Sequence, residues 1–219
     1  MPADKNTPLL RLDAARIDHA CRELANRDPH LGSVYTRLGP PPLWERPPGF
    51  ATLIYIILEQ QVSLASAKAA FERLKAAAAP LTPHTFLKLG DAELKTVGFS
   101  RQKTSYGRRL AHAMLDGQLD LAALERLPDE VVRKTLTGLK GIGVWSANIY
   151  LLMVLLRPDV WPRGDVALLS AYQHLTGLPE RPDDDTLEAT AAVWQPWRSV
   201  AARLLWHYYL SDPQVRRRK

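Results

Sequence analysis

The sequence predicts an all-α fold, and three observations carry that prediction. Several segments place apolar residues at helical spacing, the first of them from Leu12 to Leu24. The segment from Val144 to Leu156 is almost wholly apolar, as in a helix that is buried on every side. No stretch of useful length alternates apolar and polar residues as a half-buried strand does. We therefore expect helix packed against helix along the whole chain.

Capping residues and chain breakers divide the rest of the chain into further helices. The proline-rich run from Pro40 to Gly49 predicts a stiff linker that no helix crosses. Between this linker and residue 138, two helices are expected over Phe50 to Leu58 and Ala65 to Ala79. Further helices in the same region are expected to begin at Thr82, Asp91, Ser100, Asp120 and Asp129. Later in the chain, helices are expected over Gly164 to Leu175 and Trp197 to Leu210.

Composition limits the classes of function. The 219 residues can bury a sizeable core, as one domain or two small lobes, and the net charge of +6 favours a polyanionic partner. Cys21 is the single cysteine, which excludes an intramolecular disulfide, a thiolate zinc site and a four-cysteine iron–sulfur cluster. No apolar stretch follows a basic start and no apolar run is long enough to span a bilayer, so we expect neither a secretory leader nor a membrane span. We expect a soluble, cytoplasmic protein with no membrane partner.

A glycine-rich segment, Leu139-Lys140-Gly141-Ile142-Gly143, precedes the apolar helix. Two glycines one residue apart predict a tight hairpin with exposed backbone N–H groups beside a helix N-terminus, an arrangement that suits a phosphate. Leu139 and Ile142 are expected to anchor the hairpin in the core. Lys140 is either a further phosphate contact or an ordinary solvated lysine. Such contacts hold a nucleic-acid backbone without reading its sequence.

Asp165 stands at the start of the next predicted helix. The residue is a common helix cap, and this role is compatible with catalysis. The helix dipole favours the ionised carboxylate. An anion at that place can stabilise the positive charge that develops on a sugar when its glycosidic bond breaks, or can orient or deprotonate the attacking water. We therefore predict Asp165 as the catalytic residue.

Five segments occur in the order that helix-hairpin-helix DNA glycosylases share: Ile57 to Ser63, Gly98 to Lys103, the hairpin, the Asp165 segment, and Trp194 to Ser199. The chain resembles that superfamily over roughly Phe50 to Tyr209, and within it the 3-methyladenine DNA glycosylase II, or alkylbase, branch. The resemblance implies a two-lobed all-α fold with the active site in the cleft between the lobes. It also implies the compact form without an N-terminal β-rich domain. The expected lobes are 48–157, with the plug and the hairpin, and 1–47 together with 158–219.

The resemblance also implies an activity. A glycosylase of this branch hydrolyses the N-glycosidic bond of bases such as 3-methyladenine and 7-methylguanine in duplex DNA, which initiates base excision repair, and it requires no cofactor. Relatives that also cut the backbone carry a lysine two residues after the second hairpin glycine, where this chain has Trp145. Without that amine we expect no AP lyase activity. The alternatives are a glycosylase for oxidised or deaminated bases and a noncatalytic hairpin module that binds DNA.

Site residues follow from the same resemblance. Trp145, Trp206 and His207 match residues that line the base pocket, where stacking and cation–π attraction would hold a flipped alkylated purine. Some relatives have another aromatic residue in place of His207, and also in place of Val166. Gln61 matches the side chain that fills the gap left by the flipped base. Packing roles are expected for Gln60 and for four tryptophans, Trp44, Trp161, Trp194 and Trp197.

The remaining expectations concern charge. Hairpins of this family often bind a monovalent cation, Na⁺ or K⁺, through main-chain carbonyls, which here would be those of Thr137, Leu139 and Ile142. Arg198 braces the region of Asp165 or caps its own helix. The basic residues that form either a phosphate-facing stripe or a solvated face are Arg101, Lys103, Arg108 and Arg109. The tail from Arg216 to Lys219 is expected to be disordered and to add nonspecific, salt-sensitive affinity for DNA. The expected partner is double-stranded DNA, bound by a monomer.

Overall fold

The structure, a computed structural model, describes residues 9–217, and within that range every regular element is a helix. The prediction of an all-α fold is therefore confirmed. In chain order the α-helices are α1 (Ala14–Arg27), α2 (Pro29–Leu38), α3 (Phe50–Glu59), α4 (Leu64–Ala77), α5 (Pro83–Lys88), α6 (Asp91–Val97), α7 (Arg101–Leu115), α8 (Leu121–Leu124), α9 (Asp129–Thr137), α10 (Val144–Met153), α11 (Val166–Thr176), α12 (Asp184–Ala191), α13 (Arg198–Ser211) and α14 (Pro213–Arg217). None of the helices described between Leu9 and Arg217 is long and apolar enough to cross a bilayer.

The chain divides into two compact units. The central unit comprises Arg46–Tyr150, and the terminal unit comprises the chain up to Glu45 together with the chain from Leu151 onward. The central unit thus begins and ends somewhat earlier than the lobe 48–157 expected from the sequence. The proline-rich segment before α3 contains no helix, as its prolines predict.

The central unit is built around α3, which packs against α4 and α7. Its apolar face is buried, and Ile54 is fully inaccessible to solvent. At Gly107 of α7 a β-carbon would lie 2.6 Å from Cζ of Phe86, so the close approach of α5 to α7 requires glycine at this position. Residues Ser146 to Leu152 of α10 are all buried, which confirms the helix predicted from the apolar run.

In the terminal unit, α13 packs against α2 and α11, and α1 packs against α2. Arg203 of α13 is fully buried. Its guanidinium donates hydrogen bonds to three backbone carbonyls, those of Leu43 at 3.0 Å, Ser199 at 3.1 Å and Leu152 at 2.7 Å. Burial lowers the pKa of Arg203 to about 9. This side chain therefore connects three separate segments of the unit through their carbonyl groups.

Most helix starts match the capping residues read from the sequence. Thr82, Ser100 and Asp120 each cap a helix with the side chain, as do Asp13 and Ser63. Asp91 and Asp129 are the first residues of α6 and α9, as expected. Three helices were not predicted, namely α2, α12 and α14. Helix α14 includes Arg216 and Arg217 of the tail expected to be disordered, and the last two residues of that tail lie outside the described residues.

Candidate active site

The hairpin joins α9 to α10 within the central unit. Its turn is closed by a hydrogen bond of 3.0 Å from the Ile142 N–H to the Leu139 carbonyl. Ile142 is 4% exposed and anchors the turn in the core, whereas Leu139 is half-buried and Lys140 is exposed. Because the Ile142 N–H is bonded within the turn, it is not among the bare amides that the sequence predicted for a phosphate.

The two hairpin glycines have different environments. Gly141 has φ +106°, and a β-carbon there would lie 2.2 Å from Cγ of Tyr106, so both the backbone conformation and the space require glycine. Gly143 is exposed, and a β-carbon would meet no atom within 4 Å. The hairpin is thus shaped by Gly141 against Tyr106, while Gly143 leaves open space before the first turn of α10.

Gln60 connects the turn after α3 to the hairpin. Its Nε2 donates to the Gly141 carbonyl and to Oγ of Ser146, both at 2.9 Å. This is the structural role expected for Gln60. The next residue, Gln61, is exposed and has φ +57°, a left-handed conformation that is uncommon for a residue with a β-carbon. The backbone that carries the Gln61 side chain is therefore connected to the hairpin through the hydrogen bonds of the neighbouring Gln60.

Lys103 has a role that the sequence did not indicate. Its Nζ donates to the carbonyls of Leu58 at 2.8 Å and Gln60 at 2.9 Å, at the C-terminal end of α3. Burial lowers the pKa of this amine below its ordinary value. Arg108 bonds to the Leu89 carbonyl and pairs with Asp91. Two of the four residues expected in a basic stripe are thus used within the protein.

Of the carbonyls suggested for a monovalent cation, that of Thr137 belongs to the last residue of α9, and those of Leu139 and Ile142 belong to the hairpin. Neutral carbonyl oxygens are the donors that a hard cation prefers. The Leu139 oxygen accepts the Ile142 N–H and retains a second lone pair. The donor set therefore fits the cation, and the cation stays a prediction.

Asp165 is the N-cap of α11 in the terminal unit. Its Oδ1 accepts hydrogen bonds from the N–H groups of Ala167 at 3.0 Å and Leu168 at 3.1 Å. The same oxygen accepts the indole N–H of Trp206 at 3.3 Å. The helix N-terminus and the indole together favour the negative charge and restrict the rotation of the carboxylate.

Ion pairs hold the segment that precedes Asp165. Arg163 pairs with Asp185 at 2.7 Å and with Glu188 at 2.6 Å, on and near the first turn of α12. Arg198 pairs through two nitrogens with Asp159, at 2.8 and 3.0 Å. Arg198 therefore fixes the loop that leads to Asp165.

Three aromatic rings lie together near Asp165. Trp206 and His207 are consecutive on α13, and the ring of Trp44 meets both edge to face, with centroids 6.4 Å from each. Trp206 is 8% exposed, and Nδ1 of His207 is buried without a hydrogen-bond partner among the described residues. Burial lowers the pKa of the His207 imidazole, so the ring is neutral at neutral pH. Val166, the first residue of α11, is exposed.

Trp44 has the packing contacts expected from the sequence, and these are with the rings of Trp206 and His207. The half-buried Trp44 belongs to this aromatic group, whereas Trp161 and Trp194 are buried packing residues, as expected. Trp145 is half-buried in the first turn of α10, on the central unit. No pattern in the sequence indicates that the linker bends to bring Trp44 against α13.

Comparison with known proteins decides the family. Residues 54–198 match the profile of the HhH-GPD superfamily of base excision DNA repair proteins. The chain belongs to this superfamily. Membership confirms the resemblance inferred from the five ordered segments, and the matched residues include both hairpin glycines and Asp165.

Proteins similar to this chain in sequence or in structure carry the name 3-methyladenine DNA glycosylase. The putative DNA-3-methyladenine glycosylase YfjP of Bacillus subtilis is 31% identical over 57% of this chain and 43% of its own length. DNA-3-methyladenine glycosylase 1 of Schizosaccharomyces pombe is 29% identical over 74% of this chain and 73% of its own length. The solved structure of the 3-methyladenine DNA glycosylase of that yeast with abasic DNA superposes with a TM-score of 0.78 at 25% identity, over 87% of this chain and 95% of that one. The chain thus spans less than half of YfjP and about three quarters of the yeast glycosylase.

Proposed function

We propose that this member of the HhH-GPD superfamily is a monofunctional DNA glycosylase that removes alkylated bases from duplex DNA. The observation that carries the proposal is Asp165, whose Oδ1 is held by two helix N–H groups and by the indole of Trp206. The relatives named for 3-methyladenine support the choice of alkylated bases. The enzyme would act as a monomer in the compartment that contains the DNA.

The reaction breaks the bond between C1′ of the deoxyribose and the base nitrogen. Alkylation at N3 or N7 of a purine gives the base a positive charge, so that it departs as a neutral molecule with the bonding electrons. The sugar then carries positive charge, which the fixed carboxylate of Asp165 stabilises. Water adds to C1′ and loses a proton to Asp165 or to solvent, leaving an abasic site.

The central unit would hold the DNA. The open space at Gly143 and the N-terminus of α10 suit a backbone phosphate, and Lys140 is exposed beside them. A cation held by the carbonyls of Thr137, Leu139 and Ile142 would supply positive charge toward the same phosphate. Trp145 stands where a lyase would have its nucleophilic lysine, so the proposed reaction ends at the abasic site.

Strand integrity tests the proposed reaction. A labelled duplex with one 7-methylguanine is incubated with the protein and analysed before and after treatment with alkali. We expect an intact strand that breaks only after alkali, and no covalent complex when borohydride is added. A strand broken without alkali would contradict the monofunctional reaction, and a strand that stays intact after alkali would contradict the glycosylase.

Replacing Gln61 with Ala is expected to weaken base flipping about fivefold, or ~1 kcal/mol. Both residues carry a β-carbon, so the left-handed backbone at this position is equally strained in the two proteins. Flipping is measured in an Asp165→Asn background from the fluorescence of a 2-aminopurine placed beside the lesion.

Gln60→Ala tests the structural role of the neighbouring residue. This variant loses hydrogen bonds to Gly141 and Ser146, so we expect a loss of about 1–2 kcal/mol in the free energy of unfolding. An unchanged fluorescence signal in Gln61→Ala would remove Gln61 from the plug role.

A further inference from the structure

Trp44 is held in an unfavourable backbone conformation. Its φ is +49°, in the left-handed region where a bulky residue is rare. Such strain persists only where the surroundings enforce it and is concentrated at functional sites. The proline-rich linker that carries Trp44 forms no helix, so regular structure does not account for this conformation.

Arg203 bonds to the backbone immediately before Trp44. Its buried guanidinium donates to the carbonyl of Leu43, the residue immediately before Trp44, at 3.0 Å. Arg203 lies about one turn before Trp206 and His207 on α13. Helix α13 therefore carries two of the three rings, those of Trp206 and His207. Through Arg203 the same helix also bonds to the backbone next to Trp44, which carries the third ring.

The group lies beside the proposed catalytic carboxylate within the terminal unit. The indole of Trp206 donates a hydrogen bond to Oδ1 of Asp165. The same indole packs edge to face against the ring of Trp44, with an angle of 72° between the ring planes. Trp44 as a residue is half-buried and retains contact with solvent. The third ring, His207, is neutral at neutral pH and adds no competing positive charge.

We propose that Trp44 is an aromatic wall of the base-binding site, set in place by Arg203, and that it selects bases that carry a delocalised positive charge. This inference rests on the proposed glycosylase function. An indole face attracts a cation more strongly than any other side-chain ring does. A neutral damaged base gains stacking from the same ring but lacks the cation–π attraction. Trp44 would act by binding the base, and Arg203 would act by positioning Trp44.

The test compares two lesions in the same variants. Single-turnover excision rates are measured on duplexes with one 7-methylguanine, which is cationic, or one hypoxanthine, which is neutral. Trp44→Leu and Trp44→Phe are both apolar and carry the same backbone strain, but only Phe keeps an aromatic face. We expect Trp44→Leu to lower the ratio of the two rates, 7-methylguanine over hypoxanthine, about tenfold, and Trp44→Phe to lower it about twofold or less.

Rates are expressed per active molecule, counted by binding to a duplex with an abasic-site analogue, so that partial unfolding does not imitate a loss of selectivity. The control is Trp197→Leu, because Trp197 is also half-buried in the terminal unit and bonds to Glu23, outside the group. Its rate ratio should match the wild type. An unchanged ratio in Trp44→Leu, or an equal fall in Trp44→Phe, would overturn the inference while leaving the glycosylase intact. A wild type that excises neither lesion would instead contradict the proposed function.

Discussion

Replacing Asp165 with Asn is expected to slow excision of 7-methylguanine by about a hundredfold to a thousandfold. Asn is as good a helix cap as Asp, so it can keep the bonds to Ala167 and Leu168, and α11 should begin at the same residue. The variant lacks the negative charge that stabilises the sugar in the transition state. Single-turnover rates on a duplex with one lesion measure the effect, because product release does not limit them.

Asp183→Asn is the matched control for this variant. Asp183 caps α12 by accepting the Thr186 N–H at 2.8 Å, so the same substitution removes a carboxylate from another helix N-terminus. We expect its excision rate to equal that of the wild type. Affinity of Asp165→Asn for a duplex with an abasic-site analogue should change less than about threefold. Wild-type excision by Asp165→Asn would show that this carboxylate has no part in the chemistry.

Gly141→Ala is expected to lower the free energy of unfolding by about 3 kcal/mol and to disrupt the hairpin. The new β-carbon would lie 2.2 Å from Cγ of Tyr106, so the ring must move. That ring is itself held, since Nε2 of Gln102 donates to the Tyr106 hydroxyl at 2.6 Å. The φ of +106° adds strain for any residue with a β-carbon. Urea unfolding followed by circular dichroism measures the loss.

Gly143→Ala tests whether the effect is specific to Gly141. A β-carbon at residue 143 meets no atom within 4 Å, so its free energy of unfolding should lie within about 0.5 kcal/mol of the wild type. Cβ of Tyr106 would also lie 2.6 Å from the new β-carbon, so the double variant Gly141→Ala/Tyr106→Gly is the one that removes the clash, and it should lose less stability than the two single changes added together. Equal losses in Gly141→Ala and Gly143→Ala would refute the assignment of the hairpin's shape to Gly141.

Local chemistry made most of the fold predictable. Asp13, Ser63 and Ser100 cap helices because their side chains reach backbone N–H groups within three residues, and such contacts can be read from adjacent letters. The same rule could have found α2, whose N-cap is Asp28 and whose first residue is Pro29. The predicted helices around Gln60 and in the apolar run ended within a few residues of the observed bounds, because helix ends are set partly by tertiary contacts.

The site was predictable where a motif is contiguous and unpredictable where it depends on contacts distant in sequence. Gly141 and Asp165 stand in short segments with a chemical reason at each position. Trp44 contacts Trp206 and His207 across more than 160 residues of chain, and the hydrogen bond from Arg203 to the Leu43 carbonyl is an equally distant contact. Tyr106 against Gly141 is likewise a long-range contact. Lys103 was expected in a phosphate-facing stripe or on a solvated face. Its burial depends on the position of the C-terminal end of α3, where the Leu58 carbonyl accepts a hydrogen bond from its amine.

Identifying the bases released from methylated duplex DNA tests the central claim most directly. The wild type and Asp165→Asn are incubated with the DNA, and the free bases are identified by mass spectrometry. We expect the wild type to release 3-methyladenine and 7-methylguanine and no unmodified base, and we expect Asp165→Asn to release almost none. Binding to the DNA without release of any methylated base by the wild type would contradict the proposed function, and would favour a glycosylase for other lesions or a hairpin module that only binds DNA.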